Sequence, residues 1–298
     1  MVRRNTTFIY WAMIIAFLFV CSSQPALAQS SDALEAQSTA RIANKSEDVG
    51  ASVSNTEIRT AKPAPPPSSS WNGFYVGGFV GGNWGRATAD TSTVFSPTGY
   101  FAATSVSAIA TAGRQNLNPS GFNGGGQVGY NYQAGHFVVG AEGDFGWMTG
   151  KKTQSTTVTY PCCSPTAFTI TQSVKTNWVS TVRGRAGYAA GNLLVYATGG
   201  VAFTDLNYSE VFTDTFATAN ESAAIKKTRT GWTGGGGVEY KFGKWSAKGE
   251  YLFADFGRAT TTSTNLSAPA STSWPTSQFT HSVYLKEHLV RFGLNYHF

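Results

Sequence analysis

Charge is scarce in this chain. Only 13% of its 298 residues are Asp, Glu, Lys or Arg, about half of what soluble domains carry, which argues against an ordinary soluble enzyme or binding module. Cysteine is scarcer: Cys21, Cys162 and Cys163 make three, too few to staple a small secreted scaffold. Histidine occurs only at 136, 281, 288 and 297, and no Ser or Cys in a recognisable nucleophile motif stands beside any of them. Without a nucleophile, base and orienting acid to assemble, the chain reads as a non-enzyme with no catalytic residues. After residue 28 no apolar run is long enough for a spanning helix. Clustered basic stripes are missing too, which removes nucleic acid from the expected partners.

The chain opens with Arg3-Arg4, an apolar core over 8–20, and Pro-Ala-Leu-Ala at 25–28. A basic start, a short apolar core and an A-x-A site predict a signal peptide over 1–28. Bulky Phe19 and Val20 ahead of Cys21 disfavour a lipoprotein. Cutting there also removes Arg3 and Arg4, so 20 basic residues face 16 acidic ones, a mild +4. Residues 29–70 lack aromatics and end in a Pro/Ser-rich spacer, and that composition predicts a disordered periplasmic tail. A folded region is expected over 71–298.

What the chain has in abundance is glycine and aromatics in strict alternation. In 121–148, Phe122, Val128, Tyr130 and Tyr132 alternate with Asn123, Gln127, Asn131 and Gln133. After a short turn, Phe137, Val139, Phe145 and Trp147 alternate with Glu142 and Asp144. Period two means strands, and three residues between them mean a hairpin. The unit recurs at 178–203 and 229–256, and single strands at 71–85 and 287–298 complete eight. Strands of about ten residues, tiny turns at 133–135, 189–192 and 242–244, and long Ser/Thr-rich loops at 86–121, 149–176, 207–227 and 257–285 predict an all-β fold. It is an eight-stranded antiparallel transmembrane β-barrel with long extracellular loops.

The two faces differ in chemistry. One carries Trp84, Trp147, Trp178, Trp232, Tyr240, Trp245 and Tyr296 at or near strand ends, the rings that settle at membrane interfaces. The other carries glycines with Glu142, Asp144, Arg183, Arg185, Glu239, Lys248, Glu250 and Arg291. An eight-stranded barrel has room inside only for side chains. These eight charges are therefore expected to neutralise one another in the lumen, with the greasy face turned to lipid.

The blocks "WNGFYVGGFVGGNWG" (71–85), "GGGQVGYNYQ" (124–133), "GAEGDF" (140–145), "VRGRAGY" (182–188), "GWTGGGGVEYKF" (231–242), "KGEYLFADFG" (248–257) and "VRFGLNYHF" (290–298) together resemble the small Gram-negative outer-membrane β-barrels of the outer membrane immunogenic protein, or opacity-like porin, family. That resemblance implies residence in the outer membrane and lipid as a partner. It also implies that Phe298 serves as the C-terminal signal to the barrel-assembly machinery. The family's range implies a structural or surface-antigen role, or alternatively a small porin-like channel or haemin-binding receptor. Host or environmental ligands would then meet the loops.

Three motifs need weighing. Gly124, Gly126 and Gly129 fit G-x-G-x-x-G, but no strand precedes and no helix follows, so they are expected to bend a strand and leave lumen space. His281, Tyr284, Tyr160 and Tyr100 are the side chains able to ligate a haem iron, though aromatics packing within loops account for them equally. Adjacent Cys162 and Cys163 leave three states open: a bond to each other, an intermolecular bridge, or free thiols. No cofactor and no metal site is implied.

Overall fold

The computed structural model describes residues 70–269 and 272–298; the expected signal peptide and nearly all of the expected tail lie outside them. Eight long strands form a closed antiparallel ring: β1 (Gly73–Thr93), β3 (Ser120–Ala134), β4 (Phe137–Thr159), β5 (Ala167–Ala190), β6 (Leu193–Asp214), β7 (Asn220–Phe242), β8 (Trp245–Ser263) and β11 (Phe279–His297). Each pairs with the next around the ring, and β11 closes on β1 from Tyr75↔His297 to Thr93↔Phe279. Closure leaves no sheet edge in the spanning region, the one way a sheet can cross hydrocarbon.

Three two-residue turns follow β3, β5 and β7, each starting with a left-handed glycine: Gly135, Gly191 and Gly243 at φ +62°, +62° and +64°. Positive φ at that position suits a tight hairpin and costs a glycine little.

The strands are longer than expected. They run from 15 residues in β3 to 24 in β5, where a membrane crossing needs about 9–11. The segments read as long loops are for the most part continuations of strands. The rest hold a helix, α1 (Ala103–Ala112), and three short strands, β2 (Gln115–Leu117), β9 (Ser267–Ala268) and β10 (Thr272–Ser273). β2 pairs with the upper arm of β1, and α1 tucks Ser105, Ile109 and Ala112 inward above it.

The side-chain pattern inverts along the barrel. In the lower half, Val139, Phe145, Val182 and Phe292 point outward at 52%, 42%, 61% and 63% exposure, while Glu142 and Arg183 point inward at 4% and 1%. The outward apolar belt spans eleven positions per strand, for example 74–84, 122–132, 137–147 and 232–242. In the upper half the outward face is polar: Lys151, Thr153, Ser155 and Thr157 on β4 are exposed. The inward face there is apolar, with Val174, Leu206, Ile225, Phe256, Val283 and Leu285 in one cluster and Phe101, Ile109, Phe168, Ile170, Phe212 and Phe279 in another. Register shifts on three strand pairs, at Trp147/Gly150, Lys175/Val179 and Tyr284/Lys286, fall just above the tryptophan level, where one chemistry gives way to the other. The lower half is built like a membrane barrel and the upper half like a soluble one.

Candidate functional site

Three stacked plugs fill the lumen. At the turn end, Trp71 is wholly buried with Val138, Ala189, Leu194 and Tyr196. Its indole Nε1 donates to the Gly191 carbonyl at 3.2 Å and its backbone NH to Gln133 Oε1 at 2.8 Å. Lys241 Nζ lies 5.7 Å from its ring centroid.

The middle plug contains all eight charges singled out in the sequence. Period-two alternation on β4, β5, β7, β8 and β11 aims them into one space, and all are buried. Arg183 sits at the centre: Nη2 is 2.5 Å from Glu142 Oε1 and 3.0 Å from Asp144 Oδ2, and Nη1 is 3.1 Å from Glu250 Oε2. Lys248 Nζ lies 2.9 Å from Glu142 Oε2 and 3.5 Å from Glu250 Oε1. Arg185 Nη2 reaches Glu239 Oε2 at 2.7 Å, and Arg291 Nη1 reaches Asp144 Oδ1 at 3.0 Å. Four cations meet four carboxylates, so the network is formally neutral, the condition under which buried charge is tolerated.

Aromatic rings frame this network. The Tyr75 hydroxyl donates to Glu142 Oε2 at 2.7 Å and accepts from Arg185 Nη1 at 2.9 Å. Tyr196 donates to Glu250 Oε1 at 2.9 Å while Arg185 stacks 4.0 Å over its ring. Arg291 stacks 4.3 Å over Phe79. Gly124, Gly126 and Gly129 all lie within β3, with a strand and not a helix after them. An oxyanion hole or nucleophile–base pair does not arise from these contacts; what the arrangement does is fill and rigidify.

The upper plug is the apolar core, and within it lies a polar island. His281 on β11 faces Glu210 of β6 and Glu221 of β7: Nδ1 is 3.5 Å from Glu210 Oε2 and Nε2 is 3.3 Å from Glu221 Oε1, with all three side chains fully buried. Thr91 Oγ1 lies 3.1 Å from Nδ1, and Ser263 Oγ 3.0 Å from Nε2. Burial and the neighbouring Glu221 charge push the Glu210 carboxyl up to about 10. Burial acts the same way on Glu221, but hydrogen bonds from His281 and Ser263 prevail and hold it below the usual carboxylate range. His281 stood out in the sequence only as one possible haem ligand, and no local pattern joins it to Glu210 and Glu221, which lie up to 71 residues away on two other strands.

The four side chains considered for haem are already engaged. Tyr100 and Tyr160 both donate to Asp214 Oδ2, at 2.5 and 2.9 Å. Both hydroxyls are pushed well above the usual phenol range by burial and that carboxylate. Tyr284 donates to Asp255 Oδ2 at 2.6 Å, and His281 belongs to the buried trio. His281, Tyr160 and Tyr100 pack into or against the upper core, whereas Tyr284 lies half-buried on the outward face of β11. Cys162 and Cys163 are joined to each other at the tip between β4 and β5. Phe298 ends the chain with its ring 75% exposed at the turn end, edge-on to Tyr296.

Comparison with known proteins agrees with this architecture. The chain is 31% identical over 251 residues to the 31 kDa outer-membrane immunogenic protein of Brucella melitensis, covering 81% of this chain and 92% of that one. It is 30% identical over 198 residues to the 22 kDa outer membrane protein of Rhizobium leguminosarum, covering 66% and 70%. Among solved structures it is similar to Ail, the attachment invasion locus protein of Yersinia pestis, at 12% identity and a TM-score of 0.31, over 76% of this chain and 99% of that one. Residues 58–298 match the outer membrane protein beta-barrel domain family, and this chain belongs to that family, as an outer-membrane β-barrel related to outer-membrane immunogenic proteins.

Proposed function

We propose that this protein is a sealed, non-enzymatic structural barrel of the outer membrane that holds a folded, water-facing upper barrel outside the cell. The observation that supports it is the stack of three plugs: a tryptophan-led apolar base, a neutral charge network and an apolar upper core. A lumen so filled offers ions no continuous wet path.

Lipid is the partner the outer surface fits. Directly above the tryptophan level stand Arg86, Lys151, Lys152, Lys175, Lys226 and Lys227, all exposed. Lys151 is the direct cross-strand partner of Lys175, and Arg86 of Lys286. Like charges placed face to face repel, and among the described residues only Lys286 of these has an acid nearby, Asp255 at 3.8 Å. Anionic phosphates of outer-leaflet headgroups, at the height where the belt ends, relieve that repulsion.

Planar-bilayer recording of the purified barrel, with haemin titration alongside, tests the reading. It predicts no stable conductance steps and no spectral change at stoichiometric haemin. Reproducible unitary currents would replace it with a channel, and a saturable haem spectrum with a receptor.

A further inference from the structure

We propose that Glu210, Glu221 and His281 form a structural site for a divalent first-row cation of the zinc type inside the upper barrel. One imidazole nitrogen and one oxygen from each carboxylate lie within 4.8 Å of one another, close enough for side-chain rotation to gather all three on one ion. The donors come from three strands, β6, β7 and β11.

Charge is the first argument. Two carboxylates are fully buried here, and among the described residues His281 is the only side chain that ion-pairs with either. The lower network balances four against four; this island has two acids and one imidazole. A divalent cation, taking the place of the proton that Glu210 otherwise holds, would balance both carboxylates.

Unmet bonding is the second. Among the described residues Glu210, 1% exposed, has only Glu221 and His281 as side-chain partners, and neither of its oxygens meets ordinary hydrogen-bond geometry with them. Carboxylate oxygens left bare in an apolar layer are costly. Phe279 is stacked on the imidazole at 5.9 Å, and Phe212 and Ile225 flank the acids along β6 and β7.

The imidazole is also held as metal-binding histidines are. With Thr91 at Nδ1 and Ser263 at Nε2, whichever nitrogen takes the ion leaves the other with a hydrogen-bond partner. One nitrogen with two carboxylates suits zinc-type ions above Mg²⁺ or Ca²⁺, which prefer all-oxygen sites.

The fold provides a route. β7 and β8 pair only from Trp232↔Asp255 downward; above that level their arms part. Side chains bridge the seam: Arg229 Nη2 donates to the carbonyls of Phe256 at 3.1 Å and Arg258 at 2.8 Å, and Ser263 donates to Glu221. An ion behind this seam would tie β7 to β6 and β11 where the ladder to β8 is missing.

The test uses the full chain folded in detergent, stripped with a chelator and titrated with Zn²⁺ by calorimetry, with Co²⁺ absorption reporting the ligand field. One Zn²⁺ per barrel is expected, with a rise in unfolding temperature and no comparable response to Mg²⁺. Glu210→Gln and His281→Gln should abolish the stoichiometric event. A His136→Gln/His288→Gln variant, stripped of histidines that are not fully buried, should keep it. Absence of stoichiometric binding in the unaltered chain, or its loss in the His136/His288 variant, would overturn the proposal whether or not the buried variants fold.

Discussion

The ring of Tyr75 occupies the space that a side chain at Gly129 would need: a Cβ there would stand 2.3 Å from Tyr75 Cζ. The two residues are direct register partners on β3 and β1. The ring has nowhere to retreat, because its hydroxyl is tied to both Glu142 and Arg185. Gly129→Val should therefore destabilise the barrel by about 3 kcal/mol or more, the upper end for overpacking. Gly126→Ala, whose new methyl faces outward and meets nothing nearer than 3.8 Å, should stay within about 0.5 kcal/mol. Equilibrium urea unfolding in detergent or bilayers measures both.

Removing Arg183 leaves Glu142, Asp144 and Glu250 without their shared cation. Losing one partner of a buried ionic set costs about 3–5 kcal/mol. Arg183→Ala should lose that much, read by the same unfolding experiment, while Arg114→Ala should lose little, because its pair with Asp90 is exposed.

Lipid contact makes a depth-dependent prediction. Ala141→Arg places a charge mid-belt and should cost about 2–4 kcal/mol in bilayers. Thr157→Arg, exposed on the upper arm of the same strand, should cost almost nothing. Equal penalties at the two sites would mean that the belt does not face hydrocarbon.

The basic collar predicts a lipid preference. The barrel should melt higher in vesicles containing phosphorylated anionic lipid than in neutral phosphatidylcholine, and Lys151→Glu/Lys175→Glu should erase most of the difference. A difference unchanged by that pair of substitutions would show that the phosphates bind elsewhere.

How much of this was legible in the sequence follows from how far each signal reaches. Period-two alternation is local, so the eight strands, their outward rings and the eight charges that meet in the middle plug could be read directly, while buried Glu287 was not singled out. The upper arms were missed because Ser and Thr dominate them. On β5, inward Phe168, Ile170 and Val174 alternate with Thr169, Thr171 and Ser173, a strand pattern in which the polar face passed for loop composition. The upper arm of β4, from Lys151 to Thr159, has almost no apolar face to find. α1 carries no side-chain cap, is only ten residues long, and has Ser, Thr, Val or Ile at six of them, so tertiary packing rather than local propensity holds it in place. The Glu210, Glu221 and His281 trio depends on strand register across the ring, which no local pattern encodes.

The central claim is the inversion of chemistry along the strands, and a nitroxide scan addresses it most directly. Single cysteines replacing alternate outward residues along β4, from Phe137 to Thr159, in a background with Cys162 and Cys163 changed to Ser, would be labelled in bilayers. Their accessibility to oxygen and to a water-soluble nickel chelate would then be measured. The structure predicts oxygen-dominated accessibility from 137 through 147 and chelate-dominated accessibility from 151 onward, with the crossing just beyond Trp147. Chelate access at Val139 and Phe145, or oxygen dominance continuing past 151, would contradict it.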